Sequence, residues 1–146
     1  MNLFDTPIRP PVNILLVEDD DGDAKGLMRA FKKAKIANPI FRAFDGLEAL
    51  EMLQGAGKNT VPSPRLLLVD MNMPRMNGIQ LIQAMRADPA LKQTIVFMLT
   101  TSKRDEDKLA AYNLNVAGYI VKSNAGEDFL HLLNLMDCYW RIVEIL

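Results

Sequence analysis

The sequence predicts an α/β fold in which five βα units form an open, doubly wound parallel sheet. Three observations carry this. Four apolar runs, VNILLV (12–17), RLLLV (65–69), TIVFML (94–99) and AGYIV (117–121), lack polar alternation, as strands covered on both faces do. Amphipathic helical patterns separate the runs. Each candidate helix opens on a cap-like residue followed three positions later by a side chain able to close a capping box: Asp20/Asp23, Asp45/Glu48, Asn77/Gln80, Ser102/Asp105 and Asn124/Glu127.

Taken in order, VNILLV leads into a helix whose Ala24, Leu27, Met28, Phe31 and Ala34 share one face. ANP (37–39) breaks the chain before IFRAF (40–44), a fifth strand candidate that Arg42 in its middle marks as an edge. Leu47, Leu50 and Met52 lie in the second helix, and GAGKNTVPSP (55–64) ends it before RLLLV. Ile79, Ile82 and Met85 lie in the third helix, Leu109 and Tyr112 in a shorter fourth. The last helix runs from Glu127, with Phe129, Leu132, Leu133, Met136 and Trp140 on one face. Five such units are too few for a closed barrel, so right-handed crossovers build an open sheet.

At 146 residues and 49% hydrophobic composition, the chain is one domain with a real core. Residues 1–11 read as a loose, proline-containing lead-in without a signal peptide's apolar stretch, and 12–146 as the single domain with an extended C-terminal helix. A net charge of −1 offers no basic field for nucleic acid or an anionic membrane. No apolar run approaches the ~20 residues of a membrane span. Cys138 stands alone, which leaves no disulfide framework and points to a reducing cytoplasm.

In open α/β sheets ligands sit beyond the carboxyl ends of the strands, where the strand order reverses. The first run ends at Glu18-Asp19, the third at Asp70, the fourth at Thr100-Thr101 and the fifth at Lys122. In the order 2-1-3-4-5, three carboxylates, a hydroxyl and an ammonium would converge there. Each like-charge pair at ~4 Å and an effective dielectric of about 20 costs about 4 kcal/mol. Either a pKa rises or a cation binds. Oxygen-only ligands at an exposed strand end suit Mg²⁺. Glu18 and Asp19 then hold the metal, while Asp20, Asp21 and Asp23 cap and charge the following helix. Seen alone, the acidic run is a solvated cap and Asp70 a loop aspartate; the coincidence of all four strand ends favours a site.

At these positions the chain resembles receiver domains of two-component response regulators, from Val12 to about Met136. ILLVEDDDGDA looks like the acidic-pair motif, LLLVDMNMPRMNG like the phosphoacceptor loop, VFMLTTS like the switch-hydroxyl strand and AGYIVKS like the aromatic-plus-lysine strand. The resemblance implies a flavodoxin-like (βα)5 sheet of order 2-1-3-4-5. It implies that Asp70 takes a phosphoryl group from a histidine kinase, and that Glu18, Asp19, Asp70 and the backbone carbonyl of Asn72 hold Mg²⁺. Lys122 would neutralise developing charge. Thr100 would hydrogen-bond the phosphoryl group, letting Tyr119 change rotamer and signal through the helix 4, strand 5 and helix 5 face. Pro74 and Gly78 would shape the loop behind Asp70, with Met71, Met73 and Met76 as packing.

Three departures stand out. Ser123 replaces the usual proline after the lysine, so no cis X-Pro bond fixes that loop. Thr101 occupies a position often held by a smaller residue, which bears on access to the phosphoryl group. The acidic pair is Glu-Asp in place of Asp-Asp, a longer but equivalent ligand set.

The chain ends shortly after the fifth helix, which implies a stand-alone receiver. Its tail FLHLLNLMDCYWRIVEIL carries Leu130, Leu135, Tyr139 and Ile142 away from the core stripe, the pattern of a partner or homodimer surface. This tail, with TTS and VKS, resembles small regulators serving phytochrome-type histidine kinases. The implied partner is such a sensor kinase or a phosphotransfer protein. His131 reads as solvated helix surface and Cys138 as packing or interface. A phosphorelay intermediate or phosphate sink is the alternative role. A small Mg²⁺-dependent aspartyl phosphatase of the haloacid-dehalogenase type would need a general acid two residues after its nucleophile, where Asn72 stands. No G-x-G-x-x-G or P-loop motif occurs.

Overall fold

The computed structural model describes residues 12–55, 60–63, 65–71, 73–101, 104–105, 112–127, 130–131 and 134. Strands and helices alternate as β1 (Asn13–Val17), α1 (Asp21–Lys33), β2 (Ile40–Ala43), α2 (Gly46–Gln54), β3 (Arg65–Asp70), α3 (Gly78–Ala87), β4 (Ile95–Thr100) and β5 (Gly118–Val121). All neighbouring strands pair in parallel in the order β2-β1-β3-β4-β5. This is the flavodoxin-like sheet that the sequence predicts, with the Arg42-bearing strand at its edge.

The unalternating runs are explained by cover on both faces. Leu15 and Val17 of β1, Leu67 and Val69 of β3, and Val96 and Met98 of β4 pack with Ala49, Met52 and Leu53 of α2 and Leu81, Ile82 and Met85 of α3. Ile14, Leu16, Leu66, Leu68, Phe97 and Leu99 project the other way, onto Ala24, Leu27 and Phe31 of α1. Met71, Met73 and Met76 pack against the α2/α3 side, as their reading as packing expects. Among the described residues, no helix is long and apolar enough to cross a membrane.

Capping starts the first three helices where expected, while Ser102 lies outside the described residues. Asp20 accepts from the Asp23 N–H and Asp45 from the Glu48 N–H, while Asn77 and Gln80 close a full capping box. At its far end α3 is tied down by Arg86. The guanidinium donates to the carbonyls of Lys92, Thr94, Leu114 and Asn115, fixing the segment that leads into β5. Burial pulls the Arg86 pKa down from the ordinary arginine value.

Leu47, Leu50 and Met52 all lie in α2, as expected; the buried stripe there is Ala49, Met52 and Leu53 at three- and four-residue spacing, and Leu47 is 45% exposed. Other local expectations are corrected. Tyr112 sits in a turn, 48% exposed, instead of packing in a fourth helix. Asn124, expected to open the last helix, is the final residue of a 3-10 turn. The turn, Lys122–Asn124, runs straight out of β5 into helical residues 125–127, so helical winding starts before Glu127. Leu130 packs against the α1-side core, and so is not wholly a surface residue. His131 is exposed, as expected. The lead-in 1–11, Leu109, Phe129, Leu132, Leu133 and the tail residues Leu135, Met136, Cys138, Tyr139, Trp140 and Ile142 lie outside the described residues.

Gly78 opens α3 against the strand that carries Asp70, and a β-carbon there would collide with the Asp70 carbonyl oxygen. Gly26, inside α1, has nothing within 4 Å of such a carbon. Gly78→Ala is therefore expected to destabilise the protein by about 1–3 kcal/mol. Gly26→Ala should stabilise it by about 0.5–1 kcal/mol. Urea denaturation of both variants beside wild type checks the pair; equal effects would mean that the close approach at Gly78 does not matter.

Candidate functional site

β1 and β3 lie side by side, and their register pairs Val17 with Val69, so the next residues, Glu18 and Asp70, arrive together at the carboxyl edge. The Glu18 N–H donates to the Ala43 carbonyl at 3.1 Å, continuing the ladder to β2. Glu18 is fully buried and Asp70 is 9% exposed, while Asp19 faces solvent. Glu18, Asp19 and Asp70 each offer a carboxylate oxygen within 4.8 Å of the others. Lys122, the first residue after β5, reaches across. Its Nζ lies 2.6 Å from Glu18 Oε1, 3.1 Å from Asp23 Oδ2 and 3.4 Å from Asp70 Oδ2.

One ammonium does not settle this charge. Burial, reinforced by the neighbouring Asp70 carboxylate and only partly opposed by Lys122, pushes the Glu18 pKa up to about 7. For Lys122 burial acts downward, but hydrogen bonds to Glu18 and Asp23 and the Asp70 and Glu18 charges outweigh it, so its pKa rises and it stays an ammonium. Among the described residues, two buried polar atoms have no hydrogen-bond partner, Glu18 Oε2 and Thr100 Oγ1. Leaving such a group unsatisfied costs about 1–3 kcal/mol. An orphaned carboxylate oxygen within an oxygen-only donor set fits a hard divalent cation, and Glu18, Asp19 and Asp70 could hold one. The orphaned hydroxyl can donate to an anionic oxygen brought to Asp70.

The other predicted residues fall as follows. Thr100 ends β4 in phase with Val96 and Met98, and Met98 pairs with Tyr119, so Thr100 and Tyr119 share the α2/α3 face of the sheet. Tyr119 is half-buried and lines a cavity of about 360 Å³ with Met98, Leu114 and Val116. Thr101 is exposed, and its hydroxyl donates to Asp105 Oδ2 at 2.7 Å, so that group is engaged locally. Asn72 lies outside the described residues.

Two contributors escape a reading of the sequence. Arg42 looks only like the mark of an edge strand. Its Nη2 and Nε donate to the Glu18 carbonyl at 3.0 and 3.2 Å, its Nη1 to Asp21 at 2.8 Å, and the guanidinium lies 4.2 Å from the Phe44 ring centroid. An arginine inside an apolar run, one strand from an acidic loop, is the signal that could have found it. Asp23 looks like half of a capping box, but its carboxylate points to Lys122 while only its N–H serves the cap. On the opposite side, Arg75 pairs with Asp45 and the Gly46 N–H donates to the Met76 carbonyl at 3.1 Å, clasping the loop after β3 to the start of α2.

Comparison with known proteins agrees with this arrangement. The family model described as response regulator receiver domain matches residues 14–134. Response regulator Rcp1 of Synechocystis sp. is 33% identical over 132 residues, 90% of each chain. Among solved structures, the bacteriophytochrome response regulator RtBRR superposes with a TM-score of 0.75 at 30% identity, over 88% of this chain and 78% of that one. The Mn(2+)-bound form of response regulator Rcp1 gives a TM-score of 0.66 at 32% identity, over 89% and 94%.

A carboxyl with a higher pKa folded than unfolded holds its proton more tightly in the folded chain, so ionising it opposes folding. The metal-free protein should therefore lose stability as pH rises from the ordinary Glu value of 4.5 through about 7, with the loss complete above. The Lys122 contribution, from a raised pKa, persists through that window and disappears only at alkaline pH. Urea midpoints measured in a chelator between about pH 5 and pH 8 should fall for wild type and stay nearly flat for Glu18→Gln. A flat wild-type profile would mean that Glu18 ionises normally.

Proposed function

The chain belongs to the response regulator receiver domain family, and on that footing we propose that it accepts a phosphoryl group from a sensor histidine kinase onto Asp70 in a Mg²⁺-dependent reaction. One observation carries the reading: the Asp70 carboxylate stands at the switch point of the sheet, 3.4 Å from the Lys122 ammonium and within 4.8 Å of two further carboxylates. An Asp70 oxygen attacks phosphorus, an acyl phosphate forms, and the bond to the kinase imidazole breaks, leaving the electron pair on nitrogen.

Glu18, Asp19, Asp70 and the Asn72 carbonyl would hold Mg²⁺, a reading supported by the orphaned Glu18 Oε2 and by the Mn(2+)-bound form of Rcp1. When bound there, the ion supplies positive charge beside the transferring oxygens. Lys122 donates to a phosphoryl oxygen, and the Thr100 hydroxyl gains in the phosphorylated state the acceptor it lacks otherwise. Thr101, its hydroxyl held by Asp105, limits access of water to the acyl phosphate. As Thr100 moves inward, Tyr119 on the same face changes rotamer, and the surface formed by helix 4, β5 and helix 5 changes with it.

A phytochrome-type kinase suits the similarity to RtBRR, a bacteriophytochrome response regulator. We place the reaction in the cytoplasm and a homodimer contact in the C-terminal region.

Incubating the protein with acetyl phosphate should add the mass of one phosphoryl group, only when Mg²⁺ is present. Asp70→Asn should add none. Lys122→Ala should slow uptake by about 10²-fold or more, as loss of one preorganised electrostatic contact does. Intact-mass spectrometry reads all three. Uptake that persists in Asp70→Asn would refute the assignment of the acceptor.

A further inference from the structure

Lys122 has three N–H donors and, among the described residues, three carboxylate partners, Glu18, Asp70 and Asp23. The first two are required elsewhere once the reaction proceeds, Glu18 as a metal ligand and Asp70 as the acceptor. Asp23 is the one partner of the three with no other task. Its carboxylate is not spent on the helix cap, because Asp20 accepts the Asp23 N–H. It also comes from a fixed place. Asp23 lies in the first turn of α1, where Asp20 caps the helix and Arg42 ties Asp21 to the Glu18 carbonyl.

The loop carrying Lys122 needs such a fixed place. Ser123 gives it no proline ring to set its course, and a 3-10 turn, Lys122–Asn124, begins at the lysine itself. What does hold this segment is α1. Gly126 packs so closely on the helix that a β-carbon would lie 2.6 Å from the Ala30 carbonyl oxygen. Two contacts from one helix, at Gly126 and at Asp23, thus set where the lysine stands.

We propose that Asp23 is a positioning residue for Lys122, holding one ammonium N–H so that the others point at the phosphoryl group on Asp70. The inference rests on the phosphotransfer reading of Asp70. Asp23 is neither the acceptor nor a member of the acidic set that could hold a metal; it acts through the lysine. A charge-assisted hydrogen bond has the strength and direction to aim a flexible ammonium.

The test uses the full chain as wild type, Asp23→Asn and Asp23→Glu, with phosphoryl uptake from acetyl phosphate followed at saturating Mg²⁺ over a range of donor concentrations. Mg²⁺ affinity is read by calorimetry and stability by urea. Asp23→Asn is expected to lower the maximal rate about tenfold while donor half-saturation and Mg²⁺ affinity stay within about twofold, the pattern of a contact made only in the transition state. Asp23→Glu is expected to recover most of the rate. Removing a negative charge beside an anionic donor would by itself quicken uptake, so a slower rate cannot come from the general field. If Asp23→Asn keeps pace with wild type or exceeds it, or if Asp23→Glu is as slow as Asp23→Asn with equal loss of stability, the positioning role is overturned. A wild type that takes up no phosphoryl group overturns the phosphotransfer reading itself, and the two failures are therefore distinct.

Discussion

A carboxylate taken out of water beside a second carboxylate, with one lysine to answer both, is the constraint around which this molecule is arranged. Glu18 has no exposed surface and Asp70 little, and the ammonium that joins them arrives from a strand three places across the sheet from β1. Such a set is unstable in any loosely packed chain, because desolvated like charges drive apart whatever can move. The parallel sheet makes it tenable. Ile14, Leu15, Leu16, Leu66, Leu67 and Leu68 are fully buried, so the strand ends that carry the charges have no freedom to relax. The core is therefore the restraint that keeps an unfavourable electrostatic arrangement in place.

The periphery serves the same restraint from two sides. On one, Arg42 grips the Glu18 carbonyl and Asp21, so the turn between β1 and α1 is set from the neighbouring strand. On the other, Arg75 and Asp45 together with the Gly46–Met76 hydrogen bond hold the loop that follows Asp70. Asp45 is itself buried, and it is satisfied twice over, by the Glu48 N–H and by Arg75. The strand-end loops are thus built as rigid brackets around a centre poised for a ligand.

How much of this the sequence discloses follows from the range of each interaction. The five runs, their parallel pairing, the edge position of IFRAF and the cap residues Asp20, Asp45 and Asn77 are legible, because periodicity and capping are local. The meeting of Glu18, Asp70 and Lys122 follows from strand order once the switch-point rule is applied. The second duties of Arg42 and Asp23 are not legible, since each depends on a partner 24 and 99 residues away respectively. Leu47 and Tyr112 show the converse: a large side chain at a plausible helical position is still about half exposed.

The placement of Arg42 also bears on what the molecule avoids. β2 is an edge strand, and its outer hydrogen-bonding groups offer a template on which another chain could add. A charged side chain in the middle of a four-residue edge makes that addition unfavourable, the more so as Arg42 is committed to Glu18 and Asp21 and cannot turn away without leaving them unpaired. β5 at the opposite edge is equally short. Edge protection and the acidic strand end are thereby linked: a change that loosened the acidic turn would at the same moment release the charged side chain of the edge strand.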